Sequence, residues 1–226
     1  MARTMTKGAC MLCNANVSKA GMTKHLAACV AKEINPGRAS DTQKATEGRI
    51  FHLIVEGRDQ PQYWMHLEMP HDATLKKLDS FLRDKWLECC GHLSAFTFQN
   101  ERYASHPSPD FDRRGMNATL GKVLTQGMKF YHEYDFGTTT DLVIKVVGER
   151  QGKMKGTVRL LAVNDPPLIP CGTCGKEAVH VCSECVWSSD KAWLCEECAE
   201  QHECGEDMLL PVVNSPRVGM CGYTGP

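Results

Sequence analysis

Between Cys171 and Cys204 the chain reads CGTCGKEAVHVCSECVWSSDKAWLCEECAEQHEC, and seven of its thirteen cysteines fall in that stretch. Three C-x2-C pairs stand at 171/174, 182/185 and 195/198, followed by His202 and Cys204. Thiolates two residues apart hold one metal ion from a tight knuckle, and two such pairs, or one pair with a His/Cys end, complete a tetrahedron. The stretch therefore supplies ligands for two Zn2+ ions. A disulfide-stapled module competes with this reading, but a C-x2-C pair makes a poor structural disulfide loop, and three of them recur. The expected wiring is cross-braced: Cys171, Cys174, Cys195 and Cys198 on one ion, and Cys182, Cys185, His202 and Cys204 on the other. A sequential arrangement of the same ligands remains open, as does Cys221 in place of Cys204, and iron in place of zinc at the four-thiolate site. With every position filled by protein there is no room for a reactive water, so the metal contributes folding energy and no catalytic residue is assigned.

A second metal candidate lies near the other end. CMLCNANVSKAGMTKHLAAC (10–29) places Cys10, Cys13, His25 and Cys29 in a C-x2-C-x11-H-x3-C pattern, and His25 and Cys29 share one face of a helix. Val17, Met22 and Leu26 fill the small core behind the site, and Ser18 is a candidate helix cap. The pattern resembles a CCHC-type zinc finger. With the two sites of the cysteine-rich stretch, the expected load is three Zn2+ ions.

Charge is unevenly spread. Residues 1–49 carry eight Lys/Arg against three Asp/Glu, residues 50–170 carry fifteen of each, and residues 171–210 carry two against nine. The basic head admits nucleic acid as a partner, with Lys19 and Lys24 as phosphate contacts. The acidic tail points to a protein partner. No apolar run is long enough for a membrane span or a secretory signal, and thirteen cysteines in metal-type spacing suit a reducing cytoplasm.

The expected organisation is a finger at 8–30, a flexible linker at 31–48 that frees the finger to move independently, an α+β domain at 49–165, a two-zinc module at 170–206, and an extended tail at 207–226 packed on the body. Within the central domain, 49–57, 63–70, 93–104, 128–137, 141–150 and 154–165 read as strands, giving five or six in all. Thr74 caps a helix over 75–89, with Leu75, Leu78, Phe81, Leu82, Trp86 and Cys89 inward and Lys76, Lys77, Asp79 and Arg83 outside. A short helix covers 119–124, and 106–115 is a polar loop. The fold class is thus mixed α+β, one compact domain flanked by two small zinc-binding modules.

The phrases YWMHLEMPHDATLKKLDSFLRDKW (63–86), GHLSAFTF (91–98), ATLGKVL (118–124) and KFYHEYDFG (129–137) resemble the plasmid ORF-3-like family, whose members are often labelled transposon resolvase-like. The resemblance implies a compact α+β domain without established catalytic residues. Where relatives continue YDFG with an acidic residue, a Trp and a His, this chain has Thr138, Thr139, Thr140 and Asp141. VNSPRVGMCGYTG looks like a tail carried by a subset of the family, and the cysteine cluster is loosely similar to MYND and B-box modules. Together these readings point to a non-catalytic zinc-binding adaptor. Two alternatives stand beside it: a mobile-element protein touching DNA or RNA through its finger, and an enzyme using Cys90 or His92 in the central domain. A serine resolvase would need a nucleophilic Ser backed by several arginines, and Arg102, Arg113 and Arg114 are too few and too local.

Overall fold

The computed structural model describes residues 6–34, 47–109 and 114–226. Lys7–Cys10 (β1) and Asn16–Ser18 (β2) form a hairpin, and Lys19–Ile34 (α1) follows it, with the Ser18 hydroxyl accepting the Gly21 N–H at 3.3 Å. Glu47–Gly57 (β3) and Trp64–Pro70 (β4) pair antiparallel and lead into Leu75–Leu82 (α2). Ser94–Phe98 (β5), Glu101–Ala104 (β6) and Arg114–Gly115 (β7) precede the short Leu120–Val123 helix (α3). Lys129–Tyr134 (β8), Thr140–Lys153 (β9) and Arg159–Asn164 (β10) complete the body.

Among the described residues these strands make one ten-stranded sheet, ordered β2-β1-β10-β4-β3-β9-β8-β5-β6-β7. Only β6 and β7 run parallel. The body itself contributes eight strands rather than five or six, for two reasons. The stretch 93–104 breaks into a hairpin at Gln99, whose φ of 47° reverses the chain, and two residues of the expected polar loop pair as β7.

Pleating sends alternate residues to opposite faces, which gives the sheet two different chemistries. Phe51, Leu53 and Val55 of β3 and Met65, Leu67 and Met69 of β4 join Leu75, Leu78, Leu82 and Trp86 in the main core. Thr74 caps α2 as expected, its hydroxyl accepting the Lys77 N–H, an arrangement worth about 1 kcal/mol. The α-helix ends at Leu82 and continues as one wider π-turn over Arg83–Leu87, closed by Glu88 N–H on the Arg83 carbonyl. Asp79 departs from the expected outward position. It is buried, accepting from Arg83 Nε at 2.9 Å and Ser94 Oγ at 2.7 Å, with His132 Nε2 at 2.8 Å. A carboxylate thus sits on the apolar side of the helix because Ser94 and His132 from two strands meet it there, with Arg83 one turn further along.

The opposite face carries His52, Trp64, His66 and Glu68. Here the finger departs from independence: β1 pairs with β10, and Cys10, Met22 and Leu26 pack with Trp64, Leu161 and Ala162 in one buried cluster. Apolar burial of this kind fixes the finger on the sheet rather than leaving it tethered. Of the expected linker 31–48, α1 takes the first residues to Ile34 and β3 begins at Glu47; residues 35–46 lie outside the described residues. Glu68, also buried, receives both Arg150 Nε at 2.5 Å and Arg150 Nη2 at 2.7 Å.

The cysteine-rich region forms its own small sheet of His180–Cys182 (β11), Trp193–Leu194 (β12) and Leu209–Pro211 (β13), ordered β12-β11-β13, with the Glu196–Ala199 helix (α4) beside it. Its Val181 and Ala192, with Val218 of the tail, belong to the main core cluster. No helix of the described residues is long and apolar enough to cross a membrane.

Two outcomes follow from this packing. A Cβ on Gly8 would meet the Val163 carbonyl, and Trp64 at 2.7 Å. Gly8→Val is therefore expected to cost about 1–3 kcal/mol through overpacking, and to strip hydrogen-exchange protection from the β1 amides while leaving β3 and β9 protected. On the same face, burial pushes His52 down to about 4 and, with His52 and Lys19 nearby, His66 down to about 3, while their ring nitrogens Nε2 and Nδ1 lie 2.9 Å apart. Both rings stay neutral in the folded chain but charge in the unfolded chain below its ordinary value of 6.5. Their stabilisation is complete above that pH and is lost as pH falls toward 4, at up to about 1.4 kcal/mol per pH unit for each ring. Urea unfolding of a His52→Gln/His66→Gln variant between pH 6.5 and 4.5 should show a shallower acid loss than the parent chain.

Candidate metal centres

In the finger, the turn between β1 and β2 is drawn tight by Cys10 N–H on Ala15 O and Asn14 N–H on Cys10 O, with Asn14 at φ 59°. That knuckle presents Cys10 and Cys13, while α1 presents His25 and Cys29 one turn apart. The Cys13 and Cys29 sulfurs are 3.7 Å apart, and His25 Nε2 lies 3.3 Å and 3.4 Å from them. A tetrahedron with 2.3 Å metal–sulfur bonds has sulfur–sulfur edges of about 3.8 Å, so the spacing already fits one zinc-sized ion.

In the cysteine-rich region the grouping is interleaved. Cys171 and Cys174 come together with Cys195 and Cys198, and Cys182 and Cys185 with His202 and Cys204, each set of ligand atoms lying within 4.8 Å of one another. Cys174 and Cys195 sulfurs are 3.5 Å apart; Cys185 Sγ lies 3.6 Å from His202 Nε2 and 3.7 Å from Cys204 Sγ. β11 explains the alternation, because it carries the chain from the first knuckle to the second, and β12 returns it to the first.

The thiols within each group oppose one another electrostatically. In the finger, Cys13 is drawn down to about 7, chiefly by the Ala15 N–H, while burial and then Cys13 push Cys29 up to about 11. Burial opposes ionisation of Cys171, yet N–H groups of Cys195, Cys174 and Thr173 outweigh it and hold the thiol at about 6. Its neighbour Cys198 is pushed up to about 12, first by its contact with Cys174. In the third group burial likewise opposes Cys182, but the Cys185 N–H leads the donors that bring it to about 7, while contact with Cys204 pushes Cys185 up to about 12. One thiolate per group forms readily and the next resists, which is the condition a divalent cation relieves.

A fourth group was not legible as a site. Cys89, Cys90 and His92 follow the π-turn, and Cys221 of the tail joins them, so that four Cys/His clusters able to coordinate metal ions exist among the described residues. The signal available in the sequence was the dense CCGH run at a helix end and Cys221 left over after the three expected sites were filled. Cys221 lies apart from Cys204, in a different cluster.

The tail reaches that position through Arg217, which is fully buried. Its Nη2 donates to Asp135 Oδ2 at 2.8 Å and Cys89 Sγ at 3.3 Å, and its Nη1 donates to Thr138 O and Thr140 Oγ1. Asp135 itself adopts φ 65° and accepts the Gly137 and Thr138 N–H groups on Oδ1. The phenol ring of Tyr134 lies under both Arg83 and Arg217, at 4.9 Å and 4.8 Å. Thr138 and Thr140 thus serve as acceptors for the tail.

The remaining expected contacts are divided. Lys24 is exposed, but the Lys19 ammonium pairs with Glu56 at 3.2 Å and donates to Pro61 O at 2.6 Å. A cavity of about 740 Å³ opens between Phe98, Glu101, Tyr103, Arg114, Lys122 and Met128, away from every cysteine cluster. Removing one partner of a buried ion pair costs about 3–5 kcal/mol, so Arg217→Ala should lower the urea-unfolding free energy by that order. It should also open residues 212–226 to limited proteolysis at native pH, with the finger still resistant.

Residues 50–170 match the family model described as plasmid pRiA4b ORF-3-like protein. No curated protein matches the chain. Among solved structures, the chain is similar to a crystal structure of a protein of unknown function from Methanosarcina mazei Go1, with 17% identity and a TM-score of 0.43 over 52% of this chain and 68% of that one.

Proposed function

This chain belongs to the plasmid pRiA4b ORF-3-like family, and we propose that it is a non-catalytic interaction protein, organised by zinc, that engages a protein partner. The observation that carries this reading is the completeness of the ligand sets. The finger group and both groups of the cysteine-rich module each offer four protein ligands within 4.8 Å, two with a Cys3His composition and one, Cys171, Cys174, Cys195 and Cys198, with four thiolates. The first is the finger of Cys10, Cys13, His25 and Cys29, and the third joins Cys182, Cys185, His202 and Cys204. A zinc ion closed in this way has no position for water, and so holds structure instead of activating a nucleophile.

The surface around the module supports a protein partner. Glu196, Glu200, Glu203, Glu206 and Asp207 are exposed, and Trp187, two residues beyond Cys185 in the same module, stands 62% exposed. Such a face suits a partner that presents basic side chains around an apolar anchor, and it repels a phosphate backbone. The finger gives nucleic acid little encouragement, since Lys19 is already neutralised by Glu56. Cys90 and His92, the residues of the enzymatic alternative, do not line the cavity of the central domain.

Closure of the sites can be read directly. Cobalt(II)-substituted protein should show tetrahedral d–d bands with thiolate charge transfer, and those bands should not move on addition of azide or thiocyanate. A spectral shift with either anion would reveal an open coordination position, and the non-catalytic reading would fall.

A further inference from the structure

Cys89, Cys90, His92 and Cys221 serve none of the three ligand groups described above, yet they are brought together as closely. Cys90 Sγ lies 3.6 Å from both Cys89 Sγ and Cys221 Sγ, and His92 Nε2 lies 2.9 Å from Cys90 Sγ and 3.2 Å from Cys221 Sγ. Three sulfurs and one imidazole nitrogen converge within 4.8 Å. The turn that brings the first three ligands together depends on Gly91 at φ 78°, whose N–H donates to Glu88 Oε1 at 2.5 Å. Tyr134 Oη donates to the same carboxylate oxygen at 3.0 Å. Cys221 arrives from the other side at φ 47° on a segment fixed by buried Arg217, which also donates to Cys89 Sγ.

We propose that these four residues bind one zinc ion, a fourth site that clasps the C-terminal segment to the end of the π-turn. A disulfide between Cys90 and Cys221 would join two of the groups and leave a third thiol and an imidazole aimed at the same point. A Cys3His set with sulfur spacings near the edge of a zinc tetrahedron accounts for all four. The accounting across the chain agrees: the four clusters together take up all thirteen cysteines, and none is left over. Arg217 acts as the outer hydrogen-bond donor that orients one thiolate and offsets part of the ligand charge, the arrangement that metal sites use to fix their ligands. The other three clusters draw their ligands from within one module, whereas this one joins residues 129 positions apart.

The test uses the full chain prepared under reducing conditions, with zinc per chain measured by plasma mass spectrometry. The parent chain should hold four ions, and Cys221→Ser and Cys90→Ser, both at exposed positions, should each hold one fewer with unchanged circular dichroism. Amide exchange over residues 219–223 should speed up about tenfold in Cys221→Ser. A Cys221→Ser chain that retains the parent's zinc count, or a parent chain holding three, overturns the fourth site. Should exchange in the tail stay unchanged while one ion is lost, the clasp is overturned. Loss of an ion on Cys13→Ser reports the finger site separately, so failure of the fourth site and failure of the three-site reading give different results.

Discussion

The buried Arg217 guanidinium is the point on which the C-terminal part of this molecule depends. A charge with no exposed surface must be matched inside the protein, and here one nitrogen serves Asp135 and Cys89 while the other serves Thr138 and Thr140. Among the described residues its Nε meets no acceptor, and removing Arg217 would leave the Asp135 carboxylate without its buried counter-ion. What it specifies is the path of the chain. Ser215 Oγ on the Trp86 carbonyl and the reciprocal Asn164–Asn214 amide bonds lay the tail across the body just before Arg217, so Cys221 emerges opposite Cys90.

What the sequence disclosed and what it withheld divide along the length scale of the interactions. The C-x2-C pairs, the i, i+4 spacing of His25 and Cys29, the Thr74 cap and the Leu75/Leu78/Leu82 stripe are local, and local geometry alone explains them. Asp79 was misread because its burial depends on His132, 53 positions away, and Ser94. The fourth cluster was hidden for the same reason: neither the CCGH turn nor Cys221 forms a ligand set alone. The finger's attachment was equally invisible, since β1 has only four residues and its fit against Trp64 depends on Gly8 having no side chain.

The ends of the large sheet show why the attached finger matters. An exposed strand edge offers unpaired N–H and C=O groups to other chains, and short terminal strands blunt that hazard. Here the six-residue β10 would be an edge without the finger; with it, the outermost strand is β2, three residues long. The far edge is the two-residue β7. The finger therefore has a structural part beside its ligand cluster: it covers the flank of β10 and buries Trp64.

The same continuity governs how the cysteine-rich module must be regarded. The family match ends at residue 170, where Pro170 leads into Cys171, and a boundary drawn there would make the module an appendage. The core does not respect that line. Val181 and Ala192 of the module and Val218 of the tail pack in one cluster with Phe51, Leu67 and Trp86 of the body. β11 runs between two of the module's ligand clusters and carries Val181 into the common core, so a metal bound at either cluster would be coupled to the packing of the body. The module's exposed acidic residues and Trp187 are then carried on an element that shares the core of the body. For the protein partner proposed above, such a surface would be preorganised, and binding would not have to order a tethered domain.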